Sequence, residues 1–425
     1  MAHKAPLTRT VAVLGGSYGG HGAATTLAHN LPENWRVVVI DRNSHMNHLY
    51  VFPRYSVVPG HDHKAFIPYT GLFNTRDASG TPIPPQNPRH AVVHASVLAI
   101  AEHTLTLSRA APEAGVPEPT LTFDYLVYAA GSHQPAPIDL WGARNLAGAA
   151  CDGTQPAGVR WMQAAQARVR AAPSVLVVGG GALGIQYATD IASAYPEKRV
   201  TILHSRAQLL PKFDAQMHER IVTRMAELKI DVILGERLDL STVPPSALTD
   251  SGEHVLRTLS GREIRAGLVL LCTGQRPNTE LLSTLAPDAI LPDGQVRITP
   301  TMQVAASSGE GAGYDGLRVL HPHIFVIGDA ADAFGECKLG HCASSQGKVA
   351  ANNILKLVRR QEGSTEEEPL DTYTPGPPGI KLSLGLGYGL FLRGSNGGAI
   401  DEMLNPPEDW NAAYMWRVFG HAGVH

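Results

Sequence analysis

The sequence predicts an α/β protein in which one strand–turn–helix–strand unit appears twice, followed by a short C-terminal segment, and three observations carry that expectation. A β-branched and aliphatic run over 11–14 breaks into Gly15-Gly16-Ser17-Tyr18-Gly19-Gly20, continues as a helix of small residues, and is followed by a second apolar strand ending in Asp41. The pattern restarts over 173–190, PSVLVVGGGALGIQYATD, with Gly179-x-Gly181-x-x-Gly184 and a strand that ends at His204. Two later apolar strands close on Thr273-Gly274 and on Gly328-Asp329, where a chain would cross between such units. In each turn the first glycine makes the bend, the small middle residue lets backbone approach a pyrophosphate, and the third glycine packs helix on strand. The helix N-terminus adds free N–H groups and a positive dipole end. Each unit makes the other less accidental, so the pair reads as two Rossmann-like dinucleotide-binding domains.

At 425 residues the chain is too long for one ordinary core. With 44% hydrophobic residues, 17% charged residues and a formal charge of −3, it reads as soluble and globular, without the basic footprint of a nucleic-acid binder. Cys151, Cys272, Cys337 and Cys342 are too few for a disulfide framework and fit a reducing, cytoplasmic setting. No secretory n-region and h-region open the chain, position 2 is alanine, and no apolar run reaches ~18 residues. Peripheral membrane contact is the most that is expected.

After Asp41 the chain runs RNSHMNHLYVFPRYSVVPG. In a flavoprotein this segment can lay Pro53 against the isoalloxazine and bring Arg54 to the pyrophosphate; the alternative is a core-covering loop. His45, His48, His61 and His63 lack the Cys or carboxylate spacing of a closed metal site, so no metal is expected. Residues 74–90 read as a surface loop, and 91–100 with 104–107 as strands of a small antiparallel sheet. FDYLVYAAGS over 123–132 is an apolar strand whose small terminal residues let the chain pass under a dinucleotide. An amphipathic helix is expected over 212–229, a strand over 231–234 and another over 263–272. In HIFVIGDAAD, Asp329 can take a ribityl hydroxyl while a helix beginning near Lys338 points its dipole at the flavin ring; the alternative for Asp329 is a plain N-cap. Residues 361–379 read as a polar linker, and Trp410, Tyr414 and Phe419 as one helical face for core or dimer contact.

These motifs, in this order, resemble the two-dinucleotide-binding-domain flavoproteins over nearly the whole chain. Within them the sequence is similar to the AIF-like group that contains ferroptosis suppressor protein and fungal homologues of AIF-like mitochondrion-associated inducer of death, with type II NADH dehydrogenases more distant. NHLYVFPR, the HSR turn after the second unit, CKLGHCASSQGKVAANNI, PGPPGIKLSLG and DWNAAYMW carry the likeness. The resemblance implies an FAD-binding domain from 1–145 and 285–365, an NAD(P)H-binding domain inserted at 146–284, and a 366–425 segment that caps or dimerises. It implies an enzyme that oxidises NAD(P)H through FAD and reduces a quinone-like small molecule. Carried over, Gly15, Ser17, Gly20 and Asp41 hold the FAD adenosine diphosphate, Arg54 its phosphates and Asp329 its ribityl chain. Gly16, Tyr18, Gly19, Arg42, Pro53, Val97, Gly131, Gly274 and Gly328 complete that set, and Gly179, Gly181, Gly184, His204, Ser205 and Arg206 serve the second nucleotide.

Two positions are expected to bear on the chemistry. Lys338 falls where the family places a lysine beside the isoalloxazine, a cation suited to a reduced flavin, unless it is a surface lysine at a helix start. Gln186 stands where the family usually has glutamate; it can hydrogen-bond a nicotinamide but cannot relay a proton. Cys337 and Cys342 have the spacing of a disulfide-reductase pair but the wrong place in the chain, so that activity is the weaker alternative. A second alternative is a non-catalytic nucleotide sensor. For the coenzyme, Asp41 suits an unphosphorylated ribose, whereas His204-Ser205-Arg206 offers an arginine to a 2′-phosphate. NADPH is favoured, with NADH accepted as well if Arg206 points to solvent.

Overall fold

Two parallel sheets arise from the two units. The larger runs Gln303–Ser307, Leu317–Val326, Tyr125–Tyr128, Arg9–Leu14, Trp35–Asp41, Ala91–His94, with every neighbour parallel except the edge pair Gln303–Ser307 and Leu317–Val326. The smaller runs Asp231–Leu234, Arg199–His204, Ser174–Val178, Leu268–Leu271, parallel throughout. Val11, Ala12, Val13, Val37, Val38 and Val39 are all wholly buried, because a parallel sheet is covered on both faces and its strands are apolar without alternation. The computed structural model describes residues 8–142, 145–148, 150–243, 252–307, 316–366, 368–377, 379–394 and 398–424.

Helix Tyr18–Asn30 packs against helix Gly340–Gln361. The crossing is close because glycines face it: a Cβ on Gly347 would strike the Gly19 carbonyl oxygen, and one on Gly22 would lie 2.9 Å from the Ser344 oxygens. The first unit's helix is thus held by a helix made more than three hundred residues later, which fixes the glycine turn that precedes it.

Several expected elements are divided or moved. Ala91–His94 joins the larger sheet as its outer parallel strand, while Val97–Ala101 pairs with Thr104–Leu107 and Thr120–Thr122 in an antiparallel sheet. The run over 263–272 splits at Gly267 into Glu263–Ala266, antiparallel to His254–Arg257, and Leu268–Leu271 in the smaller sheet. The amphipathic helix is Ala215–Glu227, capped by Asp214, whose side chain accepts from the Gln216 N–H. Of the 361–379 stretch, Gln361 ends the helix Gly340–Gln361, and the other described residues lie in no helix or strand but are pinned: the Asn353 side chain bridges to both the N–H and the carbonyl of Asp371, and the Tyr373 N–H donates to the Pro300 carbonyl. In the tail, Trp410 and Phe419 flank the helix Ala412–Val418 and are buried, whereas Tyr414 is exposed, so the three share no face.

The tail forms a three-stranded antiparallel sheet, Ile380–Ser383, Tyr388–Leu392, Ile400–Leu404. Its apolar side, with Leu382, Leu390 and Leu392 wholly buried, shares one cluster with Ile185 and Ile191 of helix Ala182–Ala194 and with Phe52 of the short helix Phe52–Tyr55. Through this cluster passes Arg54, 1% exposed. Its guanidinium meets Asp190 at 3.2 and 3.3 Å, donates to the Gly385 and Leu386 carbonyls, and lies 5.1 Å from the Trp410 ring centroid. The expectation that Arg54 reaches a pyrophosphate is therefore corrected. All its donors face Asp190 and the tail, and neither it nor Pro53 lines the cleft described below.

Removing one partner leaves the other charge buried and alone, which costs about 3–5 kcal/mol. Arg54→Leu and Asp190→Leu should each lower the urea midpoint strongly, and the Arg54→Leu/Asp190→Leu protein should fall well short of their sum. Additive losses in the double variant would show that the pair is not one unit.

Candidate functional site

A cleft of about 860 Å³ opens at the carboxyl ends of both sheets, where open α/β sheets bind ligands, and its size lies within the usual range for a cofactor site. Gly15, with φ of +94°, turns the chain out of its strand. A Cβ on Gly20 would overlap the Gly15 carbonyl oxygen, and one on Gly184 would overlap that of Gly179, so both turns need their third glycine. The strand-end residue closes each turn. Asp41 accepts from the Gly16 N–H at 2.8 Å, from the Tyr69 hydroxyl at 3.0 Å and from the Asn43 N–H at 2.8 Å. Burial raises its carboxyl, and these three bonds oppose the shift. In the second unit His204 Nδ1 accepts from the Gly180 N–H at 3.1 Å. Its Nε2 then carries the hydrogen, buried and turned toward the Gln208 backbone. Burial, with Arg206 beside it, holds this imidazole below its ordinary value.

Gly15, Ser17, Tyr18, Gly19, Asp41, Arg42, Val97, Gly131, Gly181, Gln186, Gly274, Gly328, Asp329 and Lys338 all line the cleft. Gly16, Gly20, Gly179 and Gly184 lie behind the turns they shape, and His204, Ser205 and Arg206 lie beyond the lining. At the end formed by both halves, Asp329 Oδ2 accepts from the Ser132 hydroxyl at 2.8 Å and from Gln275 Nε2 at 2.7 Å. Lys338 Nζ donates to the Asp329 carbonyl at 3.1 Å. Helix Gly340–Gln361 has Leu339 at its N-cap, two residues later than expected, so Asp329 is not that helix's cap.

Sequence reasoning missed Trp141 and Tyr50. Trp141 donates to Asn43 Oδ1 at 3.1 Å with the Arg42 guanidinium 5.0 Å from its ring centroid, and it closes over the strand end at Asp41; nothing local in its loop signals this. Tyr50 lay within the quoted NHLYVFPR run. Its hydroxyl accepts from the Gly340 N–H at 2.7 Å and its ring packs 5.4 Å from Tyr18, whose hydroxyl in turn meets His48 Nδ1 at 3.1 Å. Cys337 and Cys342 are free thiols. Burial raises both, Cys342 to about 12 with Glu336 adding to the shift, which works against the thiolate that disulfide exchange needs. Among the described residues no group of three metal-ligating side chains is placed to hold an ion, and no helix is long and apolar enough to cross a membrane.

The family model for pyridine nucleotide-disulphide oxidoreductase matches residues 9–347. The chain belongs to that family. It is an FAD- and NAD(P)H-dependent oxidoreductase of the AIF-like kind. Fe-regulated protein 8 of Mycosarcoma maydis is 42% identical over 412 residues, 96% of this chain and 94% of its own. Ferroptosis suppressor protein 1 of Homo sapiens is 27% identical over 96% of this chain and 95% of its own. Among solved structures, reduced Bacillus anthracis CoADR-RHD has a TM-score of 0.60 at 19% identity over 92% of this chain and 62% of that one. The water-forming NADH oxidase of Lactobacillus brevis has a TM-score of 0.58 at 20% identity over 90% and 74%. These structures share the two-domain fold.

His21, His45 and His48 are each pushed down to about 4 by burial. The unfolded chain, with histidine near ~6.5, binds protons first as pH falls. Their contribution is thus complete above ~6.5 and is lost toward 4, by about 1–2 kcal/mol each at pH 5. Urea midpoints at pH 7.5 and 5 should differ clearly, and less in His48→Gln. Equal pH dependence in the two proteins would exclude His48 from the effect.

Proposed function

We propose that this oxidoreductase takes hydride from NADPH in preference to NADH and delivers the electrons, by way of FAD, to a quinone-like or related small molecule. The carrying observation is the cleft in which the two glycine turns meet, with Gly15, Ser17 and Asp41 on one side and Gly181 and Gln186 on the other. The cradles fit two dinucleotides, because backbone fills the places where side chains at Gly20 and Gly184 would stand. Bound there, FAD supplies a ring that accepts hydride and releases electrons singly or in pairs.

The first turn with Arg42 and Trp141 would hold the adenosine end, and Asp329 with its Ser132 and Gln275 partners the ribityl end. Lys338, anchored to the Asp329 carbonyl, would bring a cation to the reducing end. The strands at 9–128 and 303–326 support assigning 1–145 and 285–365 to FAD, and those at 174–271 support assigning 146–284 to NAD(P)H. The tail packs its apolar side on its own chain, which supports a cap over a dimer contact. Four free thiols support a reducing, cytoplasmic setting. The quinone-like acceptor rests on the resemblance to the AIF-like group.

The coenzyme preference rests on the second strand end. Arg206 is exposed, the arrangement in which NADH is accepted as well, and its guanidinium is open to a 2′-phosphate when NADPH binds. Glu236 donates its N–H to the His204 carbonyl, but its carboxylate is held by Arg262 and Ser260, each at 2.8 Å. That pairing offsets the charge that Glu236 would otherwise set against a 2′-phosphate.

Anaerobic NADPH should bleach the absorbance of the yellow protein near ~450 nm, and a quinone should restore it, more slowly in Lys338→Ala. A flavin that keeps its colour under excess NADPH overturns the function. In steady state, kcat/KM for NADPH should exceed that for NADH by roughly tenfold, and Arg206→Ala should remove most of the gap by raising KM for NADPH alone. Equal efficiency with both coenzymes in the parent protein would refute the preference and leave the hydride path standing.

A further inference from the structure

We infer that Ser383, on the tail strand Ile380–Ser383, fixes the direction in which Gln186 faces the cleft, so that the Gln186 side-chain oxygen accepts a hydrogen bond from the carboxamide N–H of bound nicotinamide. This extends the coenzyme reading above and rests on it.

Counting protons gives the direction. Asp190 is wholly buried against Arg54, whose guanidinium stays charged and would otherwise be buried alone, so the two form an ion pair and Asp190 accepts only. Ser383 Oγ lies 3.0 Å from Asp190 Oδ2 and gives its one proton there. From its other side that hydroxyl can only accept. The Gln186 atom 3.3 Å away is therefore the amide nitrogen, since the flipped amide would set two acceptors against each other. The Gln186 side-chain oxygen has no partner among the described residues, on a side chain that lines the cleft beside Gly181 and Ala182.

A glutamate at this position would present an acceptor whichever way it turned. A glutamine has a donor end and an acceptor end, so something outside the nucleotide-binding helix must choose between them. The tail sheet makes that choice by carrying the polarity of the Arg54–Asp190 pair through one hydroxyl. An acceptor facing the cleft selects a ligand that offers N–H. Nicotinamide offers it, and an acetyl group of nearly the same shape does not.

The test compares binding of NADP⁺ and of its 3-acetylpyridine analogue to the FAD-loaded full chain by calorimetry. The parent protein should bind NADP⁺ about tenfold more tightly than the analogue. Ser383→Ala, which frees the amide to turn, should lose most of that preference, and Ser383→Thr, which keeps the hydroxyl, should retain it. Should Ser383→Ala fail to load FAD, Gln186→Leu reads the same property and should also lose the preference. A parent that binds both ligands equally, or a Ser383→Ala or Gln186→Leu protein that discriminates as the parent does, overturns the role of Ser383 and Gln186 and leaves the coenzyme site intact. A parent that binds neither ligand overturns the site itself.

Discussion

The ion pair of Arg54 and Asp190 is the constraint on which the arrangement of the molecule depends. It brings together a guanidinium from the first unit, a carboxylate from the helix of the second, and two carbonyls and an aromatic ring from the tail. Two charges removed from water gain little net stability over a well-packed apolar cluster. What they add is direction, since a planar guanidinium meets a carboxylate in very few orientations. The apolar cluster around them can slide, whereas the pair cannot. The pair thus restricts how the first unit, the helix Ala182–Ala194 and the tail can meet, although neither Arg54 nor Asp190 lines the cleft.

The two glycine turns show how one geometry serves two chemistries. In both, the residue ending the second strand accepts a hydrogen bond from the second glycine of the turn, at 2.8 Å to Asp41 and 3.1 Å to His204. A carboxylate and a neutral imidazole nitrogen perform the same backbone task. They differ in the charge set near a ribose: Asp41 brings a negative one, while a neutral His204 brings none. The coenzyme can thus be varied at a position whose structural duty is already met.

Local features of the chain were legible in the sequence and distant ones were not. The inner strands of both sheets, their turns and the crossing at Gly328-Asp329 follow from β-branched runs, glycine spacing and a helix start, all within some thirty residues, whereas the edge strand Gln303–Ser307 was not expected. Arg54 was misplaced because a buried arginine and a phosphate-binding arginine look alike in sequence, and the partner that decides between them lies 136 residues away. The 91–100 run alternates without interruption, yet the chain leaves one sheet at His94 and enters another at Val97. The stretch over 361–379 has the composition of a free linker and is fixed by Asn353 and Pro300, which its own residues do not announce. Trp141 belongs to the site through Asn43 and Arg42, and no motif marks it.

The order in which the strands occur along the chain has a consequence for synthesis. The smaller sheet is contiguous, whereas the larger draws two strands at one edge from 303–326, after the smaller one is complete. A chain emerging from the ribosome can close the second unit while the first still lacks two strands and the Gly340–Gln361 helix that clamps its glycine turn. Arg54 meets Asp190 at that stage, but the carbonyls and the ring that complete its surroundings lie beyond residue 384. Until the tail arrives, a charged pair and an apolar helix face stand open to chaperones and proteases. The segment that covers them follows both units in the chain, so a product cut short before it would carry both glycine turns and still present itself to the cell as unfinished.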